Sequence, residues 1–327
     1  MDYRKLRGTE IEISAIALGC WPFGAPDTWG RQDDEVSIAT VKAALDAGIN
    51  FFDTAEGYGK GKSEEVLGRG LKGRRQEAVI ATKVGSGDPE QVQEACERSL
   101  RYLDTDVIDL YQIHWPRRNV PIPDTMGALE RLVEQGKVRA IGVCNFGVGD
   151  MGDLPASTPV LTNQLPFGLL WRPIEDEIQP MCVERGFGIL CYSPLSQGLL
   201  TGRYASADEV FEGLRRTRLY AGSRPEANHG EPGCEAEVFA AVERVREIAA
   251  QVGASMTAVS LAWARQQAGV TSLLVGARSS EELEEDLPGA DLVLSDGDLK
   301  ALADATEEVK QKLGGNPDMW MSESRFR

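Results

Sequence analysis

Eight short apolar segments recur along the chain, and each is separated from the next by a longer stretch with helical periodicity. Each segment is rich in β-branched residues and continuous rather than alternating, as expected of strands that are buried on both faces of a parallel sheet. Eight strand–helix alternations predict an α/β fold with a closed (β/α)8 TIM barrel rather than an open sheet. The segments are residues 15–19, 49–54, 78–83, 106–114, 138–145, 160–164, 186–193 and 270–276.

Helix start and stop signals mark the segments between the predicted strands. The stretch SEEVLGRGL begins with Ser63, and the next long helical pattern begins with Asp88 and Pro89 as cap and first-turn residue. Gly136 ends the pattern PDTMGALERLVEQ, as expected of a glycine that follows a last helical turn. We therefore expect helices that begin at Ser63 and after Asp88, and one that ends before Gly136.

Two segments depart from a minimal barrel. Residues 3–14 predict a β-hairpin before the first barrel strand, and residues 203–234 predict a long loop after the seventh. Loops of this length are usually lids or disordered segments, so we expect either a lid over the active face or a solvated surface loop. No linker or repeat is visible, which predicts one barrel domain over residues 1–327 with an additional helical segment at its C-terminus. The loop contains five arginines, which would make a cover locally basic: Arg203, Arg215, Arg216, Arg218 and Arg224.

The balance of charge and the cysteines limit the classes of partner. Lys plus Arg total 35 against 51 Asp plus Glu, and the resulting net charge of −16 repels nucleic acid and anionic lipid surfaces. The six cysteines are scattered without paired spacing, which predicts free thiols in a reducing compartment. The chain has neither an N-terminal apolar region nor a membrane-spanning stretch, so we expect a cytoplasmic protein without nucleic-acid or membrane partners.

Four polar residues fall at the ends of consecutive predicted strands. Asp53 ends the second strand, Tyr58 follows in a glycine-bearing loop, Lys83 ends the third strand and His114 ends the fourth. In a (β/α)8 barrel the carboxyl ends of the strands form the active face, so these side chains should converge. Each alone has an ordinary structural explanation, as a turn residue, a packing ring, a solvated cation or a core histidine. It is the combination that indicates a functional site.

The combination has the chemistry of a proton-delivery device for carbonyl reduction. A free tyrosine has a pKa of about 10, and a neighbouring ammonium favours the phenolate, so Lys83 should lower the pKa of Tyr58. Asp53 would keep Lys83 charged and aimed, and His114 would orient the substrate oxygen toward Tyr58. The arrangement requires no metal, and only two histidines are present, which excludes a three-histidine metal site.

Seven motifs follow the strand ends in order. They are FFDTAEGYG (51–59), ATKVG (81–85), YQIHWP (111–116), IGVCNF (141–146), TNQLPF (162–167), YSPLSQGLL (192–200) and VGARSSEELEED (275–286). At these motifs the sequence resembles the aldo-keto reductase superfamily, from about residue 3 to residue 295. The resemblance implies a catalytic tetrad of Asp53, Tyr58, Lys83 and His114, with Tyr58 as general acid or base. It also implies NAD(P)(H)-dependent interconversion of alcohols with aldehydes or ketones, including sugar-like carbonyls.

The resemblance further implies a set of cofactor contacts. Asn145 and Gln164 would hold the nicotinamide amide and Tyr192 would stack on its ring, while Cys144 replaces the family's serine and is a weaker donor. Backbone amides and helix starts at the last two motifs would receive the pyrophosphate and the adenosine. The remaining expected cofactor contacts are Trp21, Asp53, Ser193, Pro194, Leu195, Gln197, Gly198, Gly276, Ala277, Arg278, Glu282, Glu285 and Asp286.

Cofactor choice depends on the segment after the eighth strand. Arg278 could neutralise the 2′-phosphate of NADP(H), and the family's habit also favours NADP(H). Gly276 and Glu282 replace a phosphate-binding Lys and an Arg or Gln of the family, and Asp286 replaces an Asn. Glu282 could instead accept hydrogen bonds from an unphosphorylated ribose. The sequence thus favours NADP(H) over NAD(H), which is the alternative.

Three tryptophans and three rival functions complete the sequence-based hypotheses. Trp21, Trp29 and Trp115 fall near strand-end loops and would form either rim packing or an apolar substrate pocket. One rival is an aldose or sugar dehydrogenase that runs in the oxidative direction, and another is a weakly active, cofactor-binding regulatory subunit. A metal-dependent hydrolase on the same barrel would need clustered ligands that the chain lacks. The motifs leave the substrate and the oligomeric state open.

Overall fold

Eight parallel strands close into a barrel in the computed structural model, which describes all 327 residues. The barrel strands are hydrogen-bonded in chain order, and the last of them lies between its predecessor and the first, which closes the ring. A separate antiparallel pair, β1 and β2, precedes them. The strands are β1 Tyr3–Lys5, β2 Glu12–Ser14, β3 Ile16–Gly19, β4 Phe51–Asp53, β5 Val79–Val84, β6 Ile108–Ile113, β7 Val138–Cys144, β8 Val160–Pro166, β9 Gly188–Tyr192 and β10 Val270–Val275.

Helices surround the barrel and extend beyond its last strand. They are α1 Pro26–Trp29, α2 Asp34–Asp46, α3 Lys62–Gly70, α4 Pro89–Leu103, α5 Ile122–Glu134, α6 Val148–Gly152, α7 Ile178–Arg185, α8 Glu235–Val252, α9 Met256–Arg265, α10 Ser280–Asp286, α11 Pro288–Asp291, α12 Asp296–Ala305 and α13 Glu307–Leu313. The predicted (β/α)8 barrel, its eight strands and the N-terminal hairpin are confirmed, and α11–α13 form the additional C-terminal segment.

The predicted helix boundaries are correct at two of three positions. The Asp88 side chain accepts hydrogen bonds from the first-turn amides of α4, and Gly136 follows the end of α5 with a φ of +72°. The predicted start at Ser63 is wrong, because α3 begins at Lys62 and its cap position is Gly61. The Ser63 hydroxyl instead donates to the Cys20 carbonyl at 2.7 Å, so it ties α3 to the loop after β3.

The hairpin fills the amino-terminal end of the barrel. Leu6, Ile11 and Ile13 are buried in one apolar cluster with inward-facing barrel residues such as Phe51 and Leu110. A larger apolar cluster packs the outer surface of the barrel against the helices. Because one end is filled by apolar side chains, the polar groups at the opposite strand ends face the open end of the barrel.

The loop 203–234 is folded against the barrel rather than extended into solvent. It contains short helical turns at Ala207–Glu209 and Glu212–Leu214. Arg218 anchors it, since this buried side chain contacts Glu231 at 2.7 Å and donates to the Leu313 and Asn316 carbonyls at 2.9 and 2.8 Å. The loop is therefore tied to the C-terminal segment, and closure as a lid remains a prediction.

The six cysteines are all buried and unpaired. None of the helices combines the length and the apolar character needed to cross a bilayer.

The Arg218 contacts predict how the loop responds to protease. Replacing Arg218 with Ala leaves Glu231 and several carbonyls without donors, a loss of about 1–3 kcal/mol for buried polar groups. We expect thermolysin to cleave within 203–234 about ten times faster in Arg218→Ala than in the wild type, because local opening becomes more frequent. Mass spectrometry of the fragments locates the cleavage.

Arg244→Ala is the matched control, because Arg244 is an exposed arginine of α8. Equal cleavage rates in Arg218→Ala and this control would show that Arg218 does not anchor the loop. The same digestion with NADPH or NADH added tests the lid hypothesis, since a lid that closes over cofactor is cleaved more slowly in its presence. Unchanged rates would leave the loop as a fixed wall.

Candidate active site

The four polar residues singled out at the strand ends lie at one end of the barrel. Asp53 ends β4, Lys83 lies near the end of β5, and His114 follows β6 directly. Tyr58 lies in the loop between β4 and α3. A cavity of about 520 Å³ opens beside them, lined by Asp53, Tyr58 and His114, and its volume is typical of a small-molecule site.

A buried ion pair forms the base of the site. Lys83 Nζ lies 2.6 Å from Asp53 Oδ1, and the lysine side chain is fully buried. The second carboxylate oxygen accepts from Gln164 at 2.8 Å and from Gln112 at 3.4 Å. Burial lowers the pKa of Lys83, but the charge and hydrogen bond of Asp53, together with the acidic groups of Tyr58 and Cys144, outweigh this effect and leave the pKa above its ordinary value. Lys83 therefore remains an ammonium at neutral pH.

The ammonium uses its remaining donors on the loop that carries Tyr58. It donates to the Thr54 carbonyl at 2.9 Å and to the Tyr58 hydroxyl oxygen at 3.2 Å. An ammonium has three N–H donors, so Asp53, Thr54 and Tyr58 account for all of them. Because the Tyr58 oxygen accepts from Lys83, its own proton is free to point toward the cavity.

The pKa of Tyr58 moves opposite to the direction expected from the sequence. Burial raises the pKa of Tyr58 to about 12, although the charge and hydrogen bond of Lys83 lower it. The expectation of a lowered pKa considered Lys83 alone, whereas desolvation of the phenolate and the nearby Asp53 carboxylate have the larger combined effect. Tyr58 is therefore a neutral phenol that holds its proton at physiological pH.

Two glycines allow the Tyr58 loop to pack directly on the loop after β3. A Cβ at Gly24 would lie 2.5 Å from the Tyr58 carbonyl oxygen, closer than real Cβ atoms approach. Gly59 has a φ of +64°, and a Cβ there would lie 2.7 Å from the Gly24 carbonyl oxygen. The short helical turn Trp21–Gly24 is thus in backbone contact with the residue that bears the hydroxyl.

His114 is held neutral beside Tyr58. The two rings meet edge to face with 5.7 Å between centroids. Burial lowers the pKa of His114 to about 3, and the cations Lys83 and Arg117 add to the shift. A neutral imidazole keeps one N–H donor, which can hydrogen-bond an oxygen in the cavity without a change of charge.

The residues expected to hold the nicotinamide line the cavity next to this group. Asn145 has a φ of +61°, donates to the His114 carbonyl at 2.9 Å and accepts from the Tyr192 hydroxyl at 2.9 Å. The Gln164 amide nitrogen is bonded to Asp53, whereas its amide oxygen has no partner within the protein. Gln164 therefore offers an acceptor for an external amide. Cys144 is fully buried and does not line the cavity.

The turn after β9 has a backbone shape suited to anions. Ser193, Ser196 and Gln197 have φ angles of +53°, +48° and +56°, and Gly198 follows with +96°. The Ser196 hydroxyl and the Gln197 amide nitrogen are buried without any hydrogen-bond partner. Unpaired buried donors are rare. Gln197 lines the cavity and Ser196 precedes it in the same turn, which fits a ligand with several acceptor oxygens such as a dinucleotide pyrophosphate.

Carboxylates dominate the segment after β10. The Arg278 guanidinium contacts Glu282 at 2.8 Å, and this hydrogen bond raises the pKa of Arg278. Asp286 is buried and lines the cavity. Burial raises the pKa of Asp286 to about 8, and the charges of Glu282 and Glu285 add to the shift. The one cation expected to read a 2′-phosphate is therefore already bound to a carboxylate.

The structure brings nearly all of the sequence-predicted site residues to one cavity. Trp21, Trp29 and Trp115 line it, and Trp21 packs edge to face on Trp29 with 5.6 Å between centroids. Lys83 lies behind the wall, and Ala277 is fully buried outside it. The predicted residues that line the cavity are Trp21, Trp29, Asp53, Tyr58, His114, Trp115, Asn145, Gln164, Tyr192, Ser193, Pro194, Leu195, Gln197, Gly198, Gly276, Arg278, Glu282, Glu285 and Asp286.

Sequence reasoning did not place the residues of a wall that the long loop and the C-terminal segment contribute. Trp320 stacks on Tyr192 with 5.9 Å between ring centroids, and its indole nitrogen is buried without a partner. Phe211 and Leu214 from the loop also line the cavity. The only sequence signal for Trp320 is its place between Met319 and Met321 in the C-terminal tail. Of the loop's five arginines, two line the cavity, Arg203 and Arg216.

Comparison with known proteins agrees with this geometry. The model of the aldo/keto reductase family matches residues 15–307. The aldo-keto reductase YhdN of Bacillus subtilis (strain 168) is 36% identical over 299 residues, which are 87% of each chain. The NADH-specific methylglyoxal reductase of Escherichia coli (strain K12) is 30% identical over 93% of this chain and 98% of its own.

Solved structures give the same result. A glycerol dehydrogenase from Gluconobacter oxydans superposes with a TM-score of 0.83 at 32% identity, over 97% of both chains. An aldo-keto reductase from Klebsiella pneumoniae in complex with NADPH superposes with a TM-score of 0.72 at 28% identity, over 92% of this chain and 94% of that one. The chain therefore belongs to the aldo/keto reductase family and is an NAD(P)H-dependent oxidoreductase.

Proposed function

We propose that the enzyme reduces aldehydes and ketones, including sugar-like carbonyls, with Tyr58 as the general acid. The bound reduced nicotinamide supplies the hydride to the carbonyl carbon. Tyr58 donates its proton to the carbonyl oxygen, His114 donates a hydrogen bond that orients that oxygen, and Asp53 keeps Lys83 charged. Gln164 and Asn145 would hold the carboxamide of the cofactor, and the turn Ser193–Gly198 would hold its pyrophosphate.

One observation carries this proposal. Lys83 donates to the Tyr58 oxygen, so the phenol proton points away from the ammonium, and the high pKa of Tyr58 keeps that proton in place. As negative charge develops on the tyrosine during proton transfer, the adjacent ammonium stabilises it. Tyr58 therefore already carries the transferable proton before the substrate binds, which favours the reductive direction at neutral pH.

Alcohol oxidation is a second candidate, since a glycerol dehydrogenase is among the similar structures. In that direction Tyr58 must first lose its proton. Because its pKa is high, oxidation is disfavoured at neutral pH and becomes more favourable as the pH rises. The same residues would serve both directions. Steady-state turnover of an aldehyde with each cofactor separates both from a cofactor-binding regulatory subunit, which would not turn over.

The contacts of Arg278 lead us to propose NAD(H) as the preferred cofactor. The sequence-based preference for NADP(H) rested on the family's habit and on Arg278, whose guanidinium is bonded to Glu282 in the structure. A 2′-phosphate would carry close to two negative charges into a pocket that also contains Glu282 and Glu285. An unphosphorylated ribose could instead donate its hydroxyl to one of these carboxylates.

The role of Tyr58 predicts the effect of removing one oxygen atom. Tyr58→Phe deletes the transferable proton and keeps the ring, so kcat for aldehyde reduction should fall by about two to four decades. The affinity for cofactor, measured by fluorescence titration, should change little. Tyr102→Phe removes an exposed phenol outside the cavity and is the control. Retention of wild-type kcat by Tyr58→Phe would refute the assignment.

The role of Lys83 predicts a shift in pH dependence. Both the charge and the hydrogen bond of Lys83 lower the pKa of Tyr58, so Lys83→Met should raise that pKa further. We expect residual alcohol oxidation, which needs the phenolate, to begin at a higher pH in the variant than in the wild type. The pH profile of kcat measures the shift, and cofactor titration confirms that the variant is folded. Superimposable profiles would contradict the Lys83–Tyr58 coupling.

The proposed cofactor preference is tested by releasing Arg278. Glu282→Gln removes the carboxylate that binds the guanidinium, so the Kd for NADPH should fall about tenfold while the Kd for NADH changes little, as expected when one charge-assisted bond is gained. The double variant with Arg278→Ala should lose this gain, which a double-mutant cycle quantifies. A wild type that binds NADPH more tightly than NADH, with Glu282→Gln without effect, would overturn the proposal.

A further inference from the structure

The cavity contains one cation that the protein leaves without an acceptor. Arg203 and Arg278 line the cavity but lie within ion-pair distance of Glu282, at 3.7 and 2.8 Å. Arg216 lines the same cavity and forms neither a hydrogen bond nor an ion pair, and its Nε is buried. Half-buried donors normally have partners in folded proteins, so this guanidinium is available to a ligand.

Arg216 lies near the end of the cavity that contains Tyr58. Its guanidinium carbon lies 5.2 Å from the centre of the Trp21 ring, a cation–π contact. The Trp21 ring lies 6.1 Å from the ring of Tyr58. Arg216 is thus separated from the proton donor by one tryptophan. A substrate whose carbonyl oxygen meets Tyr58 can extend along Trp21 toward the guanidinium.

The backbone around Arg216 is held in place before any ligand binds. Thr217 and Arg218, the next two residues, are buried, and the Arg218 amide donates to the Met319 carbonyl at 2.8 Å. The Thr217 carbonyl contacts the ring of His229 at 3.1 Å. A guanidinium on a fixed segment loses less conformational freedom on binding than one on a mobile loop. Burial also lowers the pKa of Arg216, which remains charged at physiological pH.

We propose that Arg216 binds an anionic group of the substrate, so that the enzyme acts preferentially on carbonyl compounds that carry a carboxylate or a phosphate. This rests on the proposed carbonyl reduction at Tyr58. The net charge of −16 does not draw anions to the protein surface, so recognition of such a substrate has to be local. A guanidinium also matches the geometry of carboxylate and phosphate oxygens, to which it can donate two parallel hydrogen bonds.

A pair of aldehydes that differ in charge and by one methyl group tests the proposal. We would measure kcat/KM for 4-carboxybenzaldehyde and for its methyl ester in the wild type, in Arg216→Gln and in Arg215→Gln. Arg215 is the matched control, because it lies on the same loop outside the cavity lining, with Asp208 at 3.8 Å. Arg216→Gln should lower kcat/KM for the carboxylate about 10- to 100-fold, the range of one charge-assisted hydrogen bond. The ester should change less than about threefold in both variants.

Three outcomes would overturn the proposal. Equal losses for the acid and the ester would show that Arg216 shapes the pocket without reading charge. A similar loss in affinity for NADH and NADPH would show that the anion it binds is the cofactor pyrophosphate, and a loss for NADPH alone would indicate the 2′-phosphate.

A binding measurement keeps the test independent of turnover. Isothermal titration compares benzoate with the neutral benzamide in the wild type and in Arg216→Gln. We expect benzoate to bind the wild type more tightly than benzamide does, and this preference to disappear in the variant. An inactive wild type that still prefers benzoate would refute carbonyl reduction and retain the anion site. Equal binding of the two compounds by the wild type would refute the anion site whatever the activity.

Discussion

The ion pair between Lys83 and Asp53 determines the arrangement of the active site. A buried ion pair is stable only if further hydrogen bonds satisfy both ions, because desolvation of two charges can exceed their attraction. Here Gln112 and Gln164 donate hydrogen bonds to the carboxylate, and Thr54 and Tyr58 accept hydrogen bonds from the ammonium. Strands β4, β5, β6 and β8 are thereby joined at one point. The position of the Tyr58 hydroxyl follows from the third donor of Lys83.

The barrel makes this pair geometrically possible. Asp53 is in register with Ala81 on the neighbouring strand, and Lys83 follows two residues later. Side chains two residues apart on a strand point to the same face, so the lysine extends over the barrel interior one step beyond the aspartate. His114 follows the next strand at the same end. The chemistry of the site is thus a consequence of parallel pairing and of strand length.

The sequence predicted the site residues that lie at the ends of barrel strands. It did not predict those that distant segments of the chain contribute. Asp53, Lys83 and His114 could be identified because parallel strands bring their carboxyl ends together. The composition of the long loop left Arg216 either in a basic cover or in a solvated loop, and Trp320 lies in a segment without periodicity, so no pattern placed it against the cavity. Ser63 has the composition of a cap, but its hydrogen-bond partner, Cys20, belongs to another loop. The direction of the Tyr58 pKa shift depends on burial, which a list of neighbouring charges does not reveal.

The contact between Gly24 and Gly59 limits how this pocket can diversify. It joins the turn that bears Trp21 to the loop that bears Tyr58 without an intervening side chain, so neither backbone has room to shift toward the other. A mutational library that alters the backbone of this turn would displace the phenol together with the pocket wall. The side chains of Phe211 and Leu214 carry no such link to the proton donor. Substrate range can therefore evolve through these side chains of the long loop while the backbone that holds the phenol is conserved.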